Sequence, residues 1–167
     1  CFKERHDNNF RFIGIDIKAK GREVSEWQQP ILEEKGKGEY GLIAFKKKNE
    51  IYFLWKIRSE PGFKFGSELG PSWINRSSQN EDSLWAKSIS RKSKVVFEIE
   101  HSEEGGRFFN SIFNHKICFF DKFPIEEISP EYIPLSIEQT LKFINKPDFF
   151  SQEARSIWFF VEESLFE

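Results

Sequence analysis

The chain has 167 residues and a mass of 19.9 kDa, enough for one well-packed domain. Aromatic residues make up 17% of it, which excludes a disordered polypeptide of low hydrophobicity. Its 27 acidic and 25 basic side chains give no overall field that would attract nucleic acid or an anionic membrane. No apolar run approaches the roughly 20 residues of a membrane-spanning helix. The sequence has no methionine and begins at Cys1, which favours one module of a longer protein.

Cysteine and histidine are too sparse to predict a metal site. Besides Cys1 there is one cysteine, Cys118, and the histidines at positions 6, 101 and 115 are scattered. A disulfide between the two cysteines stays open, although two lone cysteines are more typical of cytosolic thiols. We therefore expect a cytoplasmic protein without a bound metal.

Alternating apolar residues predict strands in the first two-thirds of the chain, over residues 10–17, 39–45, 51–57 and 94–100. The second and third strands are expected to form a hairpin around the polar turn at residues 46–50. One face of the third strand carries Ile51, Phe53, Trp55 and Ile57. In the last strand the alternating residues are Val95, Phe97 and Ile99.

Two further segments do not follow this pattern. Residues 107–120 combine a helical spacing of Phe109, Ile112 and Phe113 with an apolar run at 117–120 that is typical of a buried strand. Residues 59–84 are rich in turn-forming residues, yet they hold four large apolar side chains: Phe63, Phe65, Trp73 and Leu84. We interpret this second stretch as an ordered binding loop, with a mobile insertion as the alternative.

Near the C-terminus the apolar period changes from that of a strand to that of a helix. Ser136 and Gln139 form a capping-box pattern, which is followed by an apolar stripe of Ile137, Leu141 and Ile144. A second helix is expected from Ser151, with a stripe of Ala154, Ile157, Trp158, Val161 and Leu165. The predicted fold class is α+β, with a mixed or antiparallel sheet body and helices at the C-terminal end.

The segment Trp-Gln-Gln-Pro at residues 27–30 allows two interpretations. As structure, it is an edge strand that begins after Pro30, with Trp27 packed in the core. As a site, Trp27 offers a stacking surface and the Gln29 amide can both donate and accept hydrogen bonds from a base or sugar.

The segment Glu60-Pro61-Gly62 ends the strand that carries Lys56 and Arg58. It is predicted to be a turn, because proline suits the second turn position and glycine the third. As a site, Glu60 would set a carboxylate at the end of the strand beside two cations.

Residues 102–108, Ser-Glu-Glu-Gly-Gly-Arg-Phe, are the densest group of candidate site residues. Glu103, Glu104 and Arg107 flank a flexible glycine pair, so an acid, a base and a phosphate-binding guanidinium can surround one ligand. The alternative is a solvated charged turn between strands.

Four motifs in order resemble one repeat of the NDP-hexose 2,3-dehydratase family: WxQP at 27–30, EPG at 60–62, SEEGGRF at 102–108 and ARS at 154–156. The resemblance spans almost the whole chain. It implies a Nudix-like fold without the metal-binding box, in proteins that typically carry two such repeats. Residues 1–167 would form a single repeat, either as half of a longer protein or as one of two copies that pair as a homodimer.

The resemblance further implies a nucleotide-diphosphate sugar as partner and the removal of water across C2 and C3 of a 4-keto-6-deoxyhexose. This reaction requires no metal or redox cofactor. Proton transfer is expected from Glu60, Glu103 or Glu104. Arg107 and Lys56 would be donors to the diphosphate or enolate, and Trp27 and Gln29 would face the nucleotide or sugar.

The sequence departs from the family pattern after the EPG turn, where the family has a PTVQATxSN-like segment. The Gln and Thr of that segment fall on Ile74 and Arg76. Trp73, Asn75 and Arg76 are expected to bind substrate, with Trp73 as a stacking face and Arg76 as a phosphate partner. A non-catalytic repeat that binds a nucleotide sugar or mediates dimerisation therefore stays open. A small Nudix-like hydrolase is a weaker alternative, since Arg22–Glu26 matches only the core of a Nudix box.

Overall fold

The computed structural model describes residues 10–76, 91–123 and 128–162. The strands are β1 (Phe10–Lys18), β2 (Glu26–Glu34), β3 (Gly38–Lys47), β4 (Glu50–Arg58), β5 (Glu68–Gly70), β6 (Trp73–Asn75), β7 (Lys94–Ser102), β8 (Phe108–Phe109), β9 (Ile112–Phe120) and β10 (Tyr132–Ser136). The helices are α1 (Ile137–Ile144) and α2 (Gln152–Trp158). Within these residues, no helix is long and apolar enough to cross a membrane.

The strands form two sheets. The smaller sheet has the order β1-β2-β8, and the larger has the order β10-β4-β3-β9-β7, with β5 beside β4 and β6 beside β3. In the larger sheet β3 and β9 are parallel, whereas β4 and β3 pair antiparallel, as do β7 and β9. A mixed sheet with helices at the C-terminal end confirms the predicted α+β class.

The predicted hairpin is confirmed, with a tighter turn than expected. Strands β3 and β4 pair as far as Lys47 and Glu50, so two residues rather than five make the turn. Lys48 and Asn49 have φ angles of 48° and 66°. Two successive positive φ angles are typical of a type I′ turn, whose twist matches that of the flanking strands.

Each face of the larger sheet carries an apolar cluster. The helix-covered face holds β-strand residues such as Tyr40, Phe53, Trp55 and Phe113, together with Ile144, Ala154 and Ile157 of the helices. The opposite face holds Ile43, Phe45, Leu54, Trp73, Cys118, Phe120, Phe123 and Tyr132. The alternation predicted for the third strand is confirmed, because Phe53 and Trp55 share one face and Leu54 the other.

Both helices begin where the sequence predicts, but their apolar stripes differ from prediction. Ser136 forms the expected capping box with Gln139, and Ser151 caps α2. In α1, Leu141 is 55% exposed, and the buried position belongs to Thr140, which accepts a hydrogen bond from Trp55 Nε1 at 3.3 Å.

Helix α2 ends at Trp158, so the prediction that it continues through Val161 is wrong. Val161 still packs on the core, because the chain turns back onto the sheet after the helix. The ring of Phe160 makes edge contacts with the ring of His115, at 5.5 Å between centroids. Leu165 lies outside the described residues.

The predictions for two strands need correction. Strand β2 begins at Glu26, before Pro30, and Trp27 is half-buried rather than in the core. In β7 a bulge between Val95 and Phe97 breaks the alternation, so Val96 and Phe97 both pack on the core. Ile99 and Val95 are left exposed.

The helical alternative for residues 107–120 is wrong, because Ile112–Phe120 forms a continuous strand beside β3. The Phe113 ring fills the space over Gly38, where an added Cβ would lie 2.1 Å from it. Residues 59–84 are not one loop, since they include β5 and β6, and Leu84 lies outside the described residues. Cys118 is a buried free thiol, and Cys1 lies outside the described part.

Candidate functional site

The charged turn at residues 102–108 is fixed against β2 by hydrogen bonds. Gln29 Nε2 donates to the Gly106 carbonyl oxygen at 2.8 Å, and Gln29 Oε1 accepts from Trp27 Nε1 at 2.8 Å. The amide of Leu32 donates to the Arg107 carbonyl oxygen at 3.0 Å. Gly106 has a φ of +88°, which glycine adopts without strain. Trp27 therefore holds one end of the Gln29 amide, and the other end binds the turn.

Beside this turn lies a cavity with two adjoining compartments, both lined by Tyr40, Glu103, Glu104, Gln152 and Ser156. The arginine compartment, of about 150 Å³, adds Arg76, Arg107, Phe108 and Glu153. The histidine compartment, of about 320 Å³, adds His101, Ser102 and His115. The size of the histidine compartment lies within the roughly 300–1,000 Å³ of ligand sites.

Glu103 and Tyr40 form a hydrogen-bonded pair where the two compartments meet. The Tyr40 hydroxyl donates to Glu103 Oε1 at 2.5 Å. Burial raises the pKa of the Tyr40 phenol, and the hydrogen bond to Glu103 raises it further. The phenol therefore stays protonated and presents its proton to the carboxylate, which it orients within the cavity.

Two guanidinium groups line the arginine compartment. Arg107 Nη1 lies 3.2 Å from Glu104 Oε2, and both side chains are largely exposed. Arg76 is half-buried, and its guanidinium lies 5.5 Å from the centre of the Phe113 ring. Planar guanidinium groups bind phosphate oxygens through two parallel hydrogen bonds, so this pair suits a diphosphate.

Glu34 is a buried carboxyl behind Arg76. Its Oε2 accepts a hydrogen bond from Ser111 Oγ at 3.4 Å and lies 4.0 Å from Arg76 Nη1. Among the described residues, its Oε1 has no hydrogen-bond partner. Burial raises the pKa of Glu34, against the opposing effects of Arg76 and Ser111, and the charge of Glu103 raises it as well. Glu34 therefore faces Arg76 but does not itself line the cavity.

His115 is 2% exposed and lies at the wall of the histidine compartment. Its ring is 5.1 Å from that of Tyr40 and 5.8 Å from that of His101, centroid to centroid. In the part of the chain that the structure describes, neither ring nitrogen has a hydrogen-bond partner. Burial lowers the pKa of His115 and the neighbouring His101 lowers it further, against an opposing effect of the Phe113 backbone, so the ring is neutral at pH 7.

The structure brings together four of the sequence-predicted site residues: Arg76, Glu103, Glu104 and Arg107. Sequence reasoning missed Tyr40, His115 and Glu34. Tyr40 and His115 occupy inward-facing positions of β3 and β9, where the period-two pattern indicates core. The available signal for His115 was a polar side chain at an apolar, inward-facing position. A buried imidazole needs hydrogen-bond partners, so such a position suggests a site.

The other predicted residues do not line this cavity. Lys56 is on the opposite face of the sheet, with Nζ 3.6 Å from Glu131 Oε1 and 5.7 Å from the Tyr132 ring centre. Trp73 is buried on that same face and donates to Glu39 Oε1 at 2.7 Å, so it offers no stacking surface. Neither these residues nor Asn75 contributes to either compartment.

Glu60 is also outside the cavity. It begins the predicted turn, in which the Phe63 amide donates to the Glu60 carbonyl oxygen at 3.2 Å and Gly62 has a φ of +106°. The turn prediction is therefore confirmed, but the carboxylate is exposed and apart from Glu103 and Arg107. Trp27 likewise does not line either compartment.

A separate open groove of about 430 Å³ lies on β1 and β2, between Phe12–Asp16 and Gln28–Pro30. It is lined mainly by apolar groups, and its one carboxylate, Asp16, accepts from Gln28 Nε2 at 2.6 Å. No lysine or arginine lines this groove, whereas Arg76 and Arg107 line the charged cavity, so the cavity is the better candidate for binding a phosphate group. Among the described residues, no group of three or more His, Cys, Asp or Glu side chains could hold a metal ion.

The sequence model of the NDP-hexose 2,3-dehydratase family matches residues 1–160. The chain belongs to this family. It is 29% identical over 154 residues to dTDP-4-dehydro-6-deoxy-alpha-D-glucopyranose 2,3-dehydratase of Streptomyces violaceoruber, across 89% of this chain and 34% of the relative. It is 25% identical to the enzyme of that name from Saccharopolyspora spinosa, across 89% of this chain and 32% of the relative. The dehydratase-family chain thus spans about a third of the length of these curated relatives.

The fold of this dehydratase-family chain resembles a solved ADP compounds hydrolase. The TM-score is 0.51 at 15% identity, over 93% of this chain and 94% of the other. This likeness concerns the fold, and it confirms the Nudix-like architecture that the family resemblance implies. In the family segment that departs from the usual pattern, Ile74 is a buried core residue and Arg76 lines the cavity.

Proposed function

We propose that this chain binds a nucleotide-diphosphate 4-keto-6-deoxyhexose in the cavity beside residues 102–108 and removes water across C2 and C3. The observation that carries the proposal is the convergence of Arg76, Arg107 and the Tyr40–Glu103 pair on one cavity. Family membership and the dehydratase names of the relatives support the same substrate class.

In this proposal the two arginines bind the diphosphate in the arginine compartment, and the sugar occupies the histidine compartment. The cations match the charge of the diphosphate, and Glu34 restrains Arg76 at 4.0 Å. Gln152 and Ser156 of α2 line both compartments and are available to hydrogen-bond sugar hydroxyls.

Glu103 is assigned the proton transfer. The 4-keto group acidifies the C3 proton, which the Glu103 carboxylate removes, and the C3–H electron pair forms an enolate with its charge on the C4 oxygen. The enolate then collapses: the carbonyl re-forms, a C2–C3 double bond appears and the C2–O bond breaks. The departing hydroxide takes its proton from the Glu103 carboxyl, so water leaves and Glu103 is ionised again.

The test is incubation with a dTDP-4-keto-6-deoxyhexose, with loss of water followed by mass spectrometry. Glu103→Gln keeps the size of the side chain but removes the base, so turnover is expected to fall by roughly 10²–10⁴-fold while binding changes little. Glu60→Gln is the matched control, because Glu60 lies in an exposed turn outside the cavity. Wild-type turnover by Glu103→Gln would contradict the assignment.

A non-catalytic binding repeat remains the second candidate, favoured by the presence of Ile74 and Arg76 where the family usually has Gln and Thr. Saturable binding of the nucleotide sugar by calorimetry, without water loss, would favour the binding repeat over the enzyme.

We also propose that the chain pairs as a homodimer in the cytoplasm, with no nucleic-acid or membrane partner. A solution mass of twice the 19.9 kDa chain supports the dimer.

A further inference from the structure

His115 is a buried polar side chain that the mechanism above does not use. It is 2% exposed, and neither of its ring nitrogens has a hydrogen-bond partner within residues 10–76, 91–123 and 128–162. Buried polar groups without partners are rare in folded proteins, and a ligand is one of the explanations for such a group. His115 also lies at the wall of the compartment that would hold the sugar.

The groups that face His115 keep its ring uncharged. They are Tyr40 of β3, His101 of β7 and the Phe160 ring that follows α2. None of them is a carboxylate that would favour imidazolium, and the nearby Glu103 is already bonded to the Tyr40 hydroxyl. The Phe113 backbone raises the pKa of His115, but burial and the neighbouring His101 outweigh it.

A neutral imidazole carries one N–H donor and is too weak an acid to transfer that proton readily. Such a group can polarise a carbonyl and stabilise an enolate by hydrogen bonding alone, as neutral histidines do in enzymes that isomerise ketones. The elimination requires a donor of this kind at the C4 oxygen, because the negative charge develops there when C3 loses its proton. Of the two donors predicted from the sequence, Lys56 lies on the opposite face of the sheet, and Arg107 lines the arginine compartment, where it is assigned to the diphosphate.

We propose that His115 donates a hydrogen bond, as the neutral imidazole, to the 4-keto oxygen of the bound sugar and stabilises the enolate that forms there. This inference rests on the proposed function. Glu103 and His115 then divide the chemistry: the carboxylate moves the proton between C3 and the departing hydroxide, and the imidazole keeps its own proton. Tyr40 contacts the His115 ring and is hydrogen-bonded to Glu103, and all three residues line the compartment proposed to hold the sugar.

The test separates enolisation from elimination by using a 2-deoxy analogue of the nucleotide 4-keto sugar. Without a C2 hydroxyl no water can leave, so exchange of the C3 proton in D₂O reports enolate formation. His115→Phe keeps an aromatic ring against Tyr40 and Phe160 but removes the donor. Its exchange rate is expected to fall by about 10²–10³-fold, the usual effect of removing one such donor, with analogue binding nearly unchanged.

Two further readouts distinguish a hydrogen-bond donor from a packing residue. The infrared stretching frequency of the bound 4-keto group, labelled with ¹³C, is expected to be lower in the wild type than in His115→Phe. His115→Gln retains an N–H and is expected to recover part of both the exchange rate and the frequency shift. If His115→Phe does not fold, the imidazole ¹⁵N signal of wild-type His115 serves instead: it should move with the 4-keto sugar and not with its 4-hydroxy counterpart.

The outcomes separate the two proposals. If the folded His115→Phe variant exchanges the C3 proton at the wild-type rate and leaves the carbonyl frequency unchanged, the role of His115 is wrong while the proposed function stands. The same conclusion follows if the imidazole ¹⁵N signal does not differ between the 4-keto sugar and its 4-hydroxy counterpart. If the wild-type protein binds no nucleotide sugar, the proposed function fails and the inference fails with it.

Discussion

At the scale of single residues, the burial of His115 makes the stability of the protein depend on pH. Burial lowers the pKa of this side chain from its ordinary value of 6.5. Below pH 6.5 the unfolded chain binds a proton that the native chain binds less readily, so the free energy of unfolding falls as pH decreases. Above that pH His115 is neutral in both states, so it no longer makes the free energy of unfolding depend on pH.

We therefore expect the wild-type protein to lose stability between pH 6.5 and the lower native pKa more steeply than His115→Phe does. Urea unfolding of both proteins across this range measures the difference. The comparison is needed because the raised pKa of Glu34 acts in the opposite direction, with stability lost as pH rises above 4.5. Parallel pH profiles for the two proteins would show that His115 is not buried as a neutral ring.

Residue chemistry could be predicted from the sequence where charge and motif coincide. Arg76, Glu103 and Arg107 stand out as charged groups near turn-forming residues, and the structure brings them together. Tyr40 and His115 could not be recognised in this way, because inward-facing positions of strands look alike whether they line a core or a cavity. The face of the sheet that bears the cavity depends on where the helices pack. The apolar period of the strands does not predict that packing.

At the scale of elements, the Trp73 ring of β6 packs so closely on β3 that only glycine fits at position 41. A Cβ added to Gly41 would lie 1.8 Å from Cε2 of the buried Trp73 ring. Gly41→Ala must displace that ring from its hydrogen bond with Glu39, and we expect a loss of about 1–3 kcal/mol or more in unfolding free energy.

Thermal or urea unfolding measures this loss, and Gly14→Ala is the matched control. Gly14 is also a strand glycine, but an added Cβ would meet nothing within 4 Å. Its substitution should change the stability by no more than about 0.5 kcal/mol. Equal stabilities of the two variants would show that Trp73 is not packed on Gly41.

Strand periodicity predicted the elements well where it was unbroken, as in β1 and in the hairpin of β3 and β4. It failed at the bulge of β7, because one extra residue reverses which side chains face the core. It also failed at the end of α2, where the apolar spacing of a helix continues into a turn that packs on the sheet. In both cases tertiary packing decides what local spacing leaves open.

At the scale of the whole molecule, the Nudix-like fold offers two places where a nucleotide sugar could lie. One is the charged cavity between α2, β3, β9 and the turn at residues 102–108, and the other is the open groove on β1 and β2. The proposed diphosphate substrate favours the cavity, because Arg76 and Arg107 line it and no lysine or arginine lines the groove. The position of the cavity follows from β9, which crosses back parallel to β3 and brings the turn beside α2.

The central claim is tested most directly by titrating the ¹⁵N-labelled protein with a dTDP-4-keto-6-deoxyhexose and following its backbone amide signals by NMR. The amides of residues 102–108, of Arg76 and of Gln152–Ser156 are expected to shift together and to saturate. Shifts that cluster along β1 and β2, or no saturable shift, would contradict the assignment of the substrate to the charged cavity.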